Sequence, residues 1–88
     1  MTISAVRIHP DDNVICLLQD HDKGACPELA DMTAPSLTAA VPMGHKVALV
    51  AIEAGAAVVK YGSVIGHATR AIAPGDHVHL LNLEGARP

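Results

Sequence analysis

The stretch Val41-Pro42-Met43-Gly44-His45-Lys46-Val47 recurs in outline twice, as Ile52-Glu53-Ala54-Gly55-Ala56-Ala57-Val58 and as Ile72-Ala73-Pro74-Gly75-Asp76-His77-Val78. Each copy reads apolar-x-x-Gly-x-x-Val. Ala73-Pro74-Gly75-Asp76 fits a type II turn, with Pro at the second position and Gly at the third, where φ must be positive. Each unit therefore predicts a strand end, a tight turn and a new strand, with its Ile/Val pair held in the core. No apolar stripe of 3.6-residue period runs for three turns anywhere in the chain. The fold expected is mainly β, a small domain of short strands and tight turns.

Working outward, residues 3–8 alternate enough for a strand, His9 to Asn13 is a turn cluster, and Val14 to Leu18 suits a buried strand. Gln19 to Pro35 is the least regular part. Pro27 could open a single helical turn there, but not a stable helix. His21 and Asp22 in this segment read as solvated. The 88 residues make one domain, 1–88, without room for a second. A chain so short buries only about 60–65% of its unfolded surface. Tyr61 is its one aromatic residue, so large apolar anchors are few and a partner subunit or oligomer is expected.

Composition excludes several classes. Six Lys/Arg against nine Asp/Glu give a formal charge of -3, and there is no Phe or Trp. Neither a phosphate-backbone binder nor a base-stacking platform fits that inventory. The longest apolar run, residues 47–52, is far below the ~20 residues of a membrane span. No basic-then-apolar leader is visible, so the expected compartment is the cytoplasm, with Cys16 and Cys26 as reduced thiols.

The repeat explains its glycines and Ile/Val pairs but not the polar residues beside them. Gly44-His45-Lys46 sets an imidazole and an ammonium directly after a turn; from spacing alone, such a histidine is more often a solvated surface residue. His77 and His79 lie two apart on a strand and so share a face, a workable imidazole pair for a divalent metal. Followed by Glu84 they also imitate a cupin metal motif, but a cupin needs a further histidine downstream. Lys60 and Tyr61 read as strand-end residues, Tyr61 packing its ring while its hydroxyl reaches a polar partner.

Taken in order, His9-Pro10-Asp11-Asp12-Asn13, residues 42–49, Val59-Lys60-Tyr61-Gly62, residues 65–70, and residues 72–79 followed by Asn82 resemble one family. It is the SAF domain of altronate and galactarate dehydratases and of sulfolactate sulfo-lyase, found at the N-terminus or as a separate small subunit. The resemblance covers nearly the whole chain. It implies a β-clip fold and a cytoplasmic lyase of sugar-acid metabolism, assembled with a large catalytic subunit and inactive alone.

The resemblance also implies a metal-dependent hydro-lyase, with a divalent metal, often iron, shared with the large subunit. By the same token His45 and His79 are the expected catalytic residues. Lys46, Lys60, Tyr61, Asn82, His9 and Asn13 are the expected substrate contacts, and His45, His77 and His79 the expected metal ligands. The family commonly ends His-x-His-Asn, and Leu81 stands here at the second of those histidines. Three alternatives remain open: a sulfolactate sulfo-lyase small subunit, a non-catalytic carbohydrate-binding or assembly module, and a free-standing metal protein built on His77 and His79.

Overall fold

The computed structural model describes residues 2–79 and the backbone of strand Leu83–Gly85. Seven strands run in chain order: β1 Ala5–Val6, β2 Val14–Leu17, β3 Lys46–Ala48, β4 Ala57–Lys60, β5 Ser63–Ala68, β6 His77–Val78 and β7 Leu83–Gly85. They form two antiparallel sheets, β1-β2-β3-β6 and β4-β5-β7. The fold is mainly β, and no helix among the described residues is long and apolar enough to cross a membrane.

Successive strand residues face opposite sides, and the four-stranded sheet uses both. Ile15, Leu17 and Val47 pack on one face with Leu29, Leu37 and Val41 of the irregular segment. Val14, Ala48 and Val78 pack on the other with Ile52, Val58, Ala68 and Ile72, so the β4–β5 hairpin covers that side. Most of these core side chains are valine or alanine, and each fully buried Val, Leu or Ile adds about 1.5–3 kcal/mol. The sheet is thus held by many modest contributions from two thin layers.

The repeat of the sequence is a repeat of backbone. Val41, Val47, Ile52, Val58, Ile72 and Val78 are all buried. Between the members of each pair lies a turn closed by an N–H three residues on: His45 to Pro42 O, Ala56 to Glu53 O, Asp76 to Ala73 O. Their glycines share one conformation, with φ of +85°, +84° and +88° at Gly44, Gly55 and Gly75. A fourth copy is present at Asp22–Ala25, where Ala25 N–H donates to Asp22 O and Gly24 has φ +86°. Its apolar position is taken by a histidine. His21 pairs with Val41 much as Ile52 pairs with Ile72.

His21 corrects the expectation of a solvated residue. Its ring is buried, with Nδ1 2.9 Å from Gln19 O and Nε2 2.9 Å from Ser4 Oγ, and Ser4 Oγ accepts the Glu28 N–H. The imidazole substitutes for the valine or isoleucine of the other copies because both its nitrogens find partners. Cys16 and Cys26 are free thiols.

Candidate functional site

The expected site residues fall into two groups at the two ends of β2. The first grows from the β3–β6 pairing, in which Lys46 faces Val78 and Val47 faces His77. That register sets His45 and His79 one step beyond the pair, side by side at the end of the sheet. His45 Nδ1 lies 2.8 Å from His77 Nε2, so one nitrogen donates and the other accepts. The His77 and His79 ring centroids are 4.5 Å apart, with His79 following directly on β6. His45, His77 and His79 form one row of imidazoles.

His77 is held below the ordinary histidine value of 6.5, first by partial burial and then by the charges of His79, His45 and Lys46. Near neutral pH its ring is therefore uncharged and able to take up a proton. Lys46, on the neighbouring register position, adds its ammonium to this end of the sheet. Beside the row lies a cleft of about 240 Å³ lined by Thr38, Ala39, Arg70, Asp76, His77 and His79. Asp76 is tied down: Oδ1 accepts from Thr38 Oγ1 at 2.6 Å and Oδ2 from Ala73 N at 2.8 Å. A larger concavity of about 450 Å³ sits within residues 26–34, where Glu28 is its charged lining residue. Chemistry and size point to different places, and the basic cleft is the one that suits an acid.

The second group sits at the other end of β2, about 13 Å away by strand rise from Leu17 to Asn13. Asn13 works as a splice between the sheets: its Nδ2 donates to Ala57 O at 2.9 Å and its Oδ1 accepts from Val59 N at 2.8 Å. Those bonds fall where the β4–β5 register shifts between Val58 and Val59. Asp12, which is buried, accepts from His9 N and from Gly62 N. The His9 ring lies against Gly62, close enough that a Cβ there would meet it at 2.9 Å. Lys60 Nζ stands 5.0 Å from the centre of the Tyr61 ring.

The single pocket expected from His9, Asn13, Lys60 and Tyr61 together with His45 and His79 is thus two separate clusters. The reason is topological: the hairpin turns at Tyr61–Gly62, so its tip lies with Asp12, while its open end leads to Arg70. Asn82 and Leu81 lie outside the described residues. Arg70 is the functional candidate that reading the sequence missed. An arginine by itself carries no chemical pattern, and its signals were that it closes the 65–70 stretch of the family resemblance and stands two residues before Ile72 of the last repeat.

As to metal, imidazole nitrogens suit zinc, copper, iron and nickel, and the His45–His77 pair offers two of them close together. Among the described residues no three His, Cys, Asp or Glu side chains are grouped to hold an ion. The expected set of His45, His77 and His79 is a row and not a converging cage. A complete metal centre would need donors from outside the described residues.

Fold and site together define a class: a small mainly β domain with an imidazole-lined, basic cleft at one sheet end. The chain matches the altronate/galactarate dehydratase SAF domain over residues 3–86 and belongs to that family. It is 38% identical over 81 residues to the altronate dehydratase of Bacillus subtilis (strain 168), covering 90% of this chain and 16% of that protein. It is 43% identical over 77 residues to the altronate dehydratase of Escherichia coli (strain K12), covering 88% of this chain and 15% of the relative. A shorter match, 45% identical over 47 residues, covers 53% of this chain and 70% of the (2R)-sulfolactate sulfo-lyase subunit alpha of Paracoccus pantotrophus. The chain therefore spans about one-sixth of the dehydratases it matches, but most of the sulfo-lyase subunit.

Proposed function

We propose that this chain is the SAF component of a hydro-lyase acting on a hydroxylated sugar acid of the altronate or galactarate type, and that it completes the cleft of a larger catalytic polypeptide. The observation carrying this reading is the row His45, His77, His79 beside a basic cleft, in a domain whose relatives are dehydratases.

β-Elimination needs a base for the proton next to the carboxylate, stabilisation of the resulting enolate, and an acid for the departing hydroxyl. Uncharged His77 accepts the proton at a ring nitrogen, and its hydrogen bond with His45 shares the charge that appears. The C–H electron pair becomes the enolate π bond, the β-C–O bond breaks, and the hydroxyl leaves as water with the proton returned by the His77 imidazolium. The enol left behind tautomerises to a 2-oxo acid. His45 and His79 flank that transfer as catalytic groups, and the Lys46 ammonium favours the negative charge that develops. A divalent metal, when bound, supplies Lewis-acid stabilisation of the enolate; His45 and His79 would hold it, one on each side of His77, with further ligands from the partner. Lys60, Tyr61 and His9 form a second polar face, suited to contact with the partner or with the distal hydroxyls of a long substrate.

The test is reconstitution with the large polypeptide. Altronate and galactarate are supplied separately and the 2-oxo acid is trapped with semicarbazide. Turnover is expected from the mixture and from neither part alone, and His45→Ala is expected to lower it by about 10²-fold or more. Turnover by the large part alone, or unchanged rates with His45→Ala, would refute the assignment. One observation favours a second reading: the short sulfo-lyase subunit is itself 70% covered. Release of sulfite from sulfolactate by the same mixture, without dehydration of either sugar acid, would decide for it.

A further inference from the structure

The structure assigns to Arg70 the anchoring of a substrate carboxylate in the cleft beside His77 and His79. The inference rests on the hydroxy-acid reading above and names the group that would recognise the acid. Arg70 lines the same cleft as the two imidazoles. Its guanidinium makes no hydrogen bond or ion pair with any described residue. The cleft's one carboxylate, Asp76, faces Thr38 Oγ1 and Ala73 N instead of neutralising it.

The backbone that carries Arg70 is fixed on both sides. Ala68 is buried and donates its N–H to Ala56 O, and Ile72 is buried and bonded in both directions to Ile52. An arginine on so short a tether presents five donors in a planar fork, and a carboxylate is the group that accepts two of them in parallel. A carboxylate held there brings its α-carbon toward the imidazole row, which is the orientation elimination requires. Of the two cations the sequence marked for the acid, Lys46 stands at this end of the sheet and Lys60 at the hairpin tip beside Tyr61, in the second cluster.

The 88-residue chain is titrated with tartrate, a hydroxylated dicarboxylate, and with threitol, the same carbon chain lacking both carboxylates. The readout is the NMR signals of the Arg70 Nε–H and of the His77 and His79 rings, at constant ionic strength and with EDTA present. Saturable shifts with tartrate and none with threitol are expected. Arg70→Gln is expected to weaken tartrate binding by about ten- to hundredfold, and Arg70→Lys to restore part of it. Equal binding of tartrate and threitol, absence of saturable shifts at these residues, or wild-type affinity in Arg70→Gln would overturn the assignment. In the reconstituted enzyme, Arg70→Gln is expected to raise KM more than it lowers kcat. If the wild-type mixture turns over no hydroxy acid, the lyase reading falls, and the tartrate titration still decides the role of Arg70.

Discussion

Replacing Gly75 by alanine tests how the cleft is built. Gly75 has φ +88°, and a Cβ there would stand 2.1 Å from the Ser36 carbonyl oxygen and 3.1 Å from its carbon. Ordinary contact begins at 3.4 Å, so the methyl is more than an ångström too close to backbone that cannot rotate away. Nor can the turn retreat freely, because Gly75 N donates to Ala48 O and Gly75 O accepts from Thr38 N. The left-handed conformation costs an alanine about 1–2 kcal/mol, and forcing extra volume into a packed site costs about 1–3 kcal/mol more.

Gly75→Ala should therefore lose about 2–5 kcal/mol, against a total of about 4–13 kcal/mol for a domain of this size. Gly44→Ala is the control: φ is +85° and nothing lies within 4 Å, so the conformational cost alone applies. Urea unfolding followed by far-UV circular dichroism measures both, with unchanged m-values as the check on comparability. Equal destabilisation by the two variants would refute the claim that close approach to Ser36 fixes the turn. The functional link is direct, since Thr38 and Asp76 flank this contact and line the cleft with His77.

Three further outcomes follow from the same geometry. Asn13→Asp keeps the side chain's shape but turns an amide donor into a carboxylate facing Ala57 O; a loss of about 2 kcal/mol is expected, and unchanged unfolding would show that Asn13 does not splice the sheets. Tyr61 has φ +57° at the first central position of a two-residue hairpin, followed by Gly62 at +71°. Asn-Gly suits such a turn, so Tyr61→Asn should raise the melting temperature, by up to ~1 kcal/mol of stability; a lower one would contradict the strain. Finally, His77 should titrate below 6.5 in the folded chain, and His79→Gln should move it upward by NMR. Because the unfolded chain binds that proton more readily, this contribution to stability is complete above 6.5 and is lost as pH falls below it. A His77 midpoint at or above 6.5 would contradict this account.

Much of the architecture could be read from the chain because its signals are local. A turn needs its glycine, and the Ile/Val pairs around Gly44, Gly55 and Gly75 are all in the core. The fourth copy is hidden in the sequence because His21 stands where the pattern calls for an aliphatic residue, and only the fold reveals that Ser4 and Gln19 satisfy it. The site was legible in proportion to how local it is. His77 and His79 lie two residues apart at the end of β6, so their contact follows from spacing alone. Adding His45 required knowing that β3 and β6 pair across the 28 residues between them, and adding Arg70 required knowing where the hairpin's open end lands. Asn13 shows the reverse difficulty: its composition marked a turn, but the backbone groups it bonds lie 44 and 46 residues away.

The four turns, alike in their closing hydrogen bond and glycine φ, have a consequence for how such a domain could be re-engineered. Each delivers a side chain just after its glycine, at Ala25, His45, Ala56 and Asp76, from an almost identical scaffold. Two of those sockets hold a reactive or hydrogen-bonding group and two hold a methyl. New ligands could be written into the alanine sockets by point substitution, with no loop remodelling, because the rigid hinge already exists.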